Sequence, residues 1–449
     1  MRTSKAADMT EGSIWKHLLQ FALPMLAGLL FQQLYNTVDT IIVGQFVGKE
    51  ALAAVGSTSS IINTLVGFAV GLASGGTVII SQRYGAHDNE ALGKAVHTSI
   101  ALILIVSVVL SVVGVLIVTP LLNMMSTPAD VFDEAYTYLV IYFGGMLGLL
   151  VYNMGSGILR AVGDSTRPLY FLVFSAVVNT VLDLLFVVVF KMGVAGVAWA
   201  TVIAQALSAA LVLWVLTRDH APYGIRWKEL RLDKEMVRQV CGMGIPAGVQ
   251  QAIISFSNVF VQAHINAFGS ACMAGWSAYS KLDVFLSVPI QALSLAATTM
   301  VGQNVGAKKM DRVRSGVKQA QLLGAAVTLV LAVGMVIFAP QLLRMFSTEA
   351  DVLEFGVWFV RIISPFYILT CFTQSFAGSL RGVGKSKETM YICLFSYVAF
   401  RQFFLLVGRL FGSPLLWVTL AYPVGWMMAA VMLGTGFYRA LREIENKAA

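Results

Sequence analysis

Charge is what this sequence has least of. Asp, Glu, Lys and Arg make up 12% of its 449 residues, about half the share found in soluble proteins. Apolar residues make up 57%, and runs of membrane length recur from end to end. A soluble globular chain is excluded on that balance. A β-barrel is excluded because the apolar runs are continuous rather than alternating. Cysteine is also scarce. Cys241, Cys272, Cys371 and Cys393 are scattered with no CxxC spacing, so neither a disulfide framework nor a zinc site is indicated. The five histidines (His17, His87, His97, His220, His264) form no close pair. The Gly-rich loops 81–94 and 302–318 lack the GxxxxGK[ST] spacing of a phosphate cradle. No nucleotide engine, metal centre or catalytic set is therefore expected. Residues 1–13, MRTSKAADMTEGS, lack the apolar core of a cleaved signal, so the first span is expected to act as an uncleaved membrane signal.

What is present is a series of spans. Twelve are expected, near 16–44, 52–80, 96–118, 135–159, 169–190, 194–216, 237–266, 275–300, 317–339, 355–378, 389–410 and 415–437, each long enough for a bilayer that takes about 20 helical residues. The fold class is an all-α polytopic membrane protein. Residues 218–239 form the longest charged stretch, broken by Pro222 and Gly224; they read as a linker and a surface helix. The expected domains are a six-helix lobe over 1–217, a cytoplasmic linker over 218–236 and a second six-helix lobe over 237–449. The formal charge of +8 sorts by topology and does not point to nucleic acid. With the amino terminus inside, Lys and Arg crowd the cytoplasmic segments, among them Arg83, Lys94, Arg160, Arg167, Arg226, Lys308, Lys309, Arg312, Arg381, Lys385 and Arg439. Outer segments hold only Lys49, Lys191, Arg344 and Arg409. That asymmetry is the positive-inside rule. It expects both termini in the cytoplasm and an inner (plasma) membrane location.

The chain also repeats itself. LRAVGDSTRPLY from Leu159 matches LRGVGKSKETMY from Leu380. SQRYGA from Ser81 matches GQNVGA from Gly302, and STPADV from Ser126 matches STEADV from Ser347, all at an offset of 221 residues. A shared offset across separated landmarks argues for duplication of a six-span unit. An even span count inserts both copies the same way up, as parallel repeats do in transporters.

Of 23 acidic residues, only Asp39, Asp183 and Asp283 fall within the expected spans. An ionised Asp at the centre of a membrane helix costs about 2.5–3.5 kcal/mol on insertion scales, so each should face protein or water. Gln32, Asn36 and Asp39 share a face of the first span at spacings of four and three. Asn179 stands one turn before Asp183. Thr201, Gln205 and Ser208 follow at helical spacing, and Tyr138, Tyr152, Asn153 and Ser156 lie in the fourth span. The second repeat does not mirror the acids: Asn179 maps to Phe400, Thr180 to Arg401, and Asp39 to Phe260 or Val261. A pair required only for folding would be expected in both copies, which favours function for Asp39 and Asp183. Asp283, with Lys281 two residues away, reads equally as a bundle-facing acid beside a snorkelling Lys or as a substrate contact. Arg361 and Arg401 read as partners of Asp283 or as holders of substrate anions.

The segment P-x(10)-YNTVDTIIVG from Pro24, the VGQNVGA and LRAVGDSTRP loops, and the two six-span halves resemble the multidrug and toxic compound extrusion family, over almost the whole chain. The likeness is to prokaryotic members with an acidic cluster in the amino-terminal lobe. It implies two lobes around a central cavity, with Asp39, Asn179, Asp183 and Thr201 as the proton- or cation-coupling set. Gln32, Tyr35, Asn36, Tyr138 and Asn153 would form the surrounding polar network, and Asp283, Lys281, Arg361 and Arg401 would line a substrate cavity. Other members carry a Glu in the seventh span and an Asp in the tenth. Gln250, Gln251 and Arg361 stand there, so no carboxy-lobe cation site is expected. The implied activity is export of bulky, often cationic amphipathic compounds in exchange for H+ or Na+, with no other cofactor, by a monomer in contact with membrane lipid. A Na+ would use the same four residues. The alternative is a lipid or lipid-linked oligosaccharide flippase with a wider cationic groove.

Overall fold

A computed structural model describes residues 7–125, 127–412 and 414–448. Arg2 and Lys5, in the amino-terminal segment expected on the cytoplasmic side, and Ser126, the start of one repeat landmark, lie outside the described residues. Helices in chain order are α1 Ile14–Ile42, α2 Lys49–Gly85, α3 Asn89–Met124, α4 Ala129–Gly144, α5 Met146–Ala161, α6 Thr166–Asp183, α7 Gly193–Arg218, α8 Lys234–Asn266, α9 Ser270–Gly306, α10 Met310–Ile337, α11 Ala339–Leu343, α12 Ala350–Ile363, α13 Tyr367–Gly382, α14 Ser386–Leu394, α15 Arg401–Leu410 and α16 Leu415–Ala448. No strand occurs among the described residues.

Among the described residues ten helical segments are long and apolar enough to cross a bilayer, and the α4–α5 pair, bent by 46°, makes an eleventh if it is one span. The bend falls at Gly144–Gly145, inside the span expected to be continuous over 135–159. Helix α8 has 33 residues, yet Gln250, Gln251, Ser257, Asn258 and Gln262 keep it from that apolarity. The surface helix expected within residues 218–239 is not a separate element: residues 234–239 open α8. Among the described residues of 219–233 the only helix is a 3₁₀ turn, Trp227–Glu229. The linker is pinned instead on α3: His97 Nε2 accepts from Arg226 N at 2.9 Å, and Thr98 Oγ1 accepts from Asp233 N at 3.2 Å.

The duplication is visible in the backbone. Positive-φ residues recur at the repeat offset: Gly48 (128°) with Gly269 (94°), His87 (53°) with Lys308 (58°), Gly163 (85°) with Gly384 (99°), and Lys191 (55°) with Gly412 (77°). At α5 and α13 the same helix-ending turn is built twice. Asp164 N donates to Leu159 O at 2.9 Å and Lys385 N donates to Leu380 O at 3.0 Å, with the glycine supplying the left-handed residue such a terminus requires. The side chains then diverge. Asp164 pairs with Arg167, whereas the equivalent Lys385 pairs with Glu443 at 2.7 Å.

The chain forms two compact units. One comprises Met1–Asp8 and Ala27–Gly248, the other Met9–Leu26 and Val249–Ala449. Helices α1 and α8 therefore each change unit within their length, two residues beyond Pro24 and Pro246. A helical proline leaves one backbone hydrogen bond unmade, and the change of unit follows that weak point in both copies. In the first unit, α2, α3, α5 and α7 surround a core containing Leu72, Ile80, Leu92, Ile100, Leu150 and Val212. In the second, Trp276, Leu286, Phe359, Ile363 and Val418 belong to the corresponding core. Residues Met9–Gly12 are fixed to the second unit by Arg312, whose Nη2 donates to Met9 O and Glu11 O, both at 3.0 Å.

Candidate functional site

Asp39 lies near the end of α1 and Asp183 ends α6. Each helix then passes into a π segment, Val43–Val47 and Leu184–Val189 respectively. Wide turns of this kind concentrate at functional positions because they re-aim the residues beside them. Asp183 is completely buried and Asp39 is half-buried. Their carboxyl groups stand within hydrogen-bonding reach of one another. Asp39 Oδ1 and both Asp183 oxygens find no donor among the described residues. Ionised carboxylates are acceptors only. The contact between these acids becomes a hydrogen bond only when a proton sits between them. The alternative is a cation that both oxygens ligate.

Helix register places the remaining members. Ser208 Oγ donates to Phe171 O at 3.4 Å and Ser175 Oγ to Ala204 O at 3.0 Å. Continuing that antiparallel register by one turn brings Asn179 of α6 opposite Thr201 of α7. Both are buried, at 2% and 4% exposure. Thr201 Oγ1 donates to Val197 O at 3.1 Å, which leaves its lone pairs free. Asn179 Nδ2 has no acceptor among the described residues. Tyr35 and Tyr138 lie in the field of both acids, and Tyr138 stacks on Tyr142 at 6.3 Å between centroids. Tyr142 also feels Asp39 and is hydrogen-bonded to the Gln205 side chain. Ile42, Val43, Val187, Val194, Val197 and Ala198 close one end of the set as an apolar cluster with Tyr138.

The structure thus brings together Asp39, Asp183, Tyr35 and Tyr138, and sets Asn179 and Thr201 one helical turn away. Gln32 is half-buried along the same face of α1, whereas Asn36 is exposed. Asn153 Nδ2 donates to Leu149 O at 2.8 Å within its own helix. Tyr142 was not singled out in the sequence, although it follows Tyr138 by one turn, and that spacing was the available signal.

The residues expected to line a substrate cavity differ in burial. Lys281 and Arg361 are exposed. Asp283 is half-buried and accepts from Tyr279 Oη at 3.0 Å. Arg401 is 3% exposed and takes none of these as an ion-pair partner. Its Nη2 donates to Ser257 Oγ at 2.8 Å and to Asn258 Oδ1 at 2.9 Å.

A fit to a coupling ion follows from the donor set. Hard cations take oxygen ligands, and Asp39, Asp183, Asn179 and Thr201 offer carboxylate, amide and hydroxyl oxygens. Among the described residues no three His, Cys, Asp or Glu side chains group as a transition-metal centre.

The MatE family model matches this chain twice, over residues 24–185 and 246–405. The chain belongs to the multidrug and toxic compound extrusion family. The two matches coincide with the two repeats. This MATE chain is 31% identical over 402 residues to the probable multidrug resistance protein YpnP of Bacillus subtilis, covering 88% of this chain and 89% of that one. It is 27% identical to the probable multidrug resistance protein YoeA of the same species, over 98% and 97% of the two chains. Its fold matches that of a MOP superfamily transporter from Pyrococcus furiosus with a TM-score of 0.91, at 23% identity and 99% coverage of both. The MATE fold is that of a multi-pass transporter, with two repeated lobes.

Proposed function

We propose that this chain is a secondary active multidrug efflux antiporter. It exports amphipathic, often cationic compounds and takes up H+ or Na+ at Asp39 and Asp183, by alternating access, from a membrane orientation with both termini in the cytoplasm and as a monomer. The observation that carries this reading is the mutual contact of two intramembrane carboxyl groups, of which Asp39 Oδ1 and both Asp183 oxygens have no donor among the described residues. A proton or hard cation binds there because it relieves two acceptor groups at once.

Coupling follows from differential affinity, since a ligand shifts a conformational equilibrium only by binding one state better. Ion entry ties Asp39 of α1 to Asp183 of α6. Helix α1 carries the weak backbone position at Pro24, and movement there changes the surface offered to the exported compound. Each inward charge supplies about 2.3 kcal/mol per 100 mV of membrane potential. One or two such charges suffice for useful outward accumulation. The test is efflux of ethidium in everted vesicles, with the proton and sodium gradients collapsed in turn. Transport that stops with one of them supports the reading. Transport that survives the loss of both defeats it.

A further inference from the structure

The acid pair has a counterpart in the second unit with the opposite charge. At the repeat offset Asn36 corresponds to Ser257 or Asn258, Thr180 to Arg401 and Thr201 to Tyr422. The same corner of the duplicated helix set therefore carries a guanidinium three residues before Phe404, which stands where Asp183 does in the first copy. Arg401 is 97% removed from solvent, given its 3% exposure, and its hydrogen-bond partners Ser257 and Asn258 are neutral. Its guanidinium lies 5.2 Å from the ring centroid of Tyr422, a cation–π contact. Arg401 Nε has no acceptor among the described residues. Asp283 is the nearby acid within the spans. It is hydrogen-bonded to Tyr279 and makes no ion pair with Arg401. A buried cation in a membrane helix ordinarily has a charged partner or marks a ligand path. Among the described residues none is such a partner.

The surroundings suit an aromatic ligand. Tyr422 stacks on Trp276 at 5.5 Å and adjoins Trp426 at 6.1 Å. Tyr422 and Trp426 are only partly buried, and Asn258 is exposed, so the cluster has an accessible side. Ser257 is already saturated: its Oγ donates to Tyr397 O at 3.1 Å and also accepts from Gln402 Nε2 at 3.2 Å. Asn258 is thus the partner that an incoming acceptor can displace.

We propose that Arg401, once Asn258 Oδ1 gives way, is an oxyanion subsite that receives a carboxylate or phosphate group carried on an aromatic compound lying against Tyr422 and Trp426. The exported range then includes aromatic anions and zwitterions as well as cations. This rests on the efflux reading only for the direction of transport.

The test is equilibrium binding by flavin fluorescence to the full-length protein in phosphatidylcholine nanodiscs, with riboflavin 5′-phosphate and riboflavin as a pair differing only in the phosphate. Wild type is expected to prefer the phosphate form by about tenfold or more, as for a hydrogen bond to a charged group. Arg401→Gln brings the ratio to about one, and Arg401→Lys restores part of it. If Arg401→Gln does not fold, Asn258→Asp carries the test. It is nearly isosteric, places a carboxylate against the guanidinium, and abolishes the preference. Equal binding of the two flavins by wild type overturns the proposal, as does an unchanged ratio in folded Arg401→Gln. A preference that vanishes when phosphatidylglycerol is added identifies the anion as a lipid headgroup and also overturns it. Ethidium efflux tests the antiport reading separately, so either can fail alone.

Discussion

The part of helix α8 up to Gly248 is held in the first unit by a seam of glycines, and the seam yields a prediction with opposite signs two residues apart. Gly71 and Gly75 of α2 face Gly244 and Gly248 of α8. A Cβ at Gly71 would stand 2.3 Å from Gly248 N, one at Gly75 2.5 Å from Gly244 N, and one at Gly244 2.7 Å from Leu72 O. Non-bonded heavy atoms settle at about 3.5–4.0 Å, so the helices would have to part by on the order of 1 Å. The obstructing atoms are backbone and cannot turn aside. Overpacking of this kind costs about 1–3 kcal/mol. Alanine in place of glycine also favours the helix by about 1 kcal/mol, which offsets part of that cost. At Gly242 of α8 nothing lies within 4 Å of a new Cβ, so the helix preference acts alone. Gly242→Ala should therefore hold or raise the thermal midpoint of the purified protein in detergent. Gly71→Ala, Gly75→Ala and Gly244→Ala should lower it, Gly71→Ala most. The double variant Gly71→Ala/Gly75→Ala should fall short of the sum, because one separation of the helices accommodates both. Equal midpoints for Gly242→Ala and Gly71→Ala would refute the close backbone crossing.

Two further stability predictions use the same measurement. Asp164→Ala should cost about 3 kcal/mol, the low end for breaking a buried ion pair, because Asp164 is 1% exposed and also accepts from Thr166 N and Arg167 N, each at 3.1 Å. Asp219→Ala, whose bridge to Arg167 is partly solvated at 24% exposure of the acid, should cost about 1 kcal/mol or less; a reversed order would contradict the assigned network. Gly163→Ala should be worse than Gly412→Ala. Both sit at positive φ, worth about 1–2 kcal/mol to a residue with a Cβ, but only Gly163 also meets backbone, with Ala7 O at 2.3 Å.

The helical spans and the duplication were legible because both are written in one dimension. Apolar runs show their own length, and a repeat shows its own offset. The positive-φ pairs His87 with Lys308 and Lys191 with Gly412 show that the repeat is preserved in backbone even where residue type is not. Asp39 and Asp183 were legible because an acid in a membrane run stands out against its neighbours. The contacts of Arg401 were not. Ser257 and Asn258 belong to a span 143 residues or more away in sequence, and ordinary polar residues there carry no signal that an arginine will lie beside them. The π segments after Asp39 and Asp183 were hidden as well, because one extra residue per turn leaves composition unchanged. The bend at Gly144–Gly145 was hinted at by the glycine pair, but glycine in membrane helices serves close packing as often as bending. Lys281 and Arg361 shared a sign and a repeat with Arg401, yet sign and repeat do not fix which face of a helix a residue occupies.

Asp39 and Asp183 are proposed to act together on ion-coupled transport. The direct measurement is proton- or sodium-driven ethidium efflux by Asp39→Asn and Asp183→Asn, each isosteric with the carboxyl it replaces, at matched expression in everted vesicles. Each variant is predicted to lose coupled efflux by about tenfold or more, on the scale of one interaction with a charged group, and the double variant to lose little beyond either single. Wild-type coupled efflux by both single variants would contradict the claim.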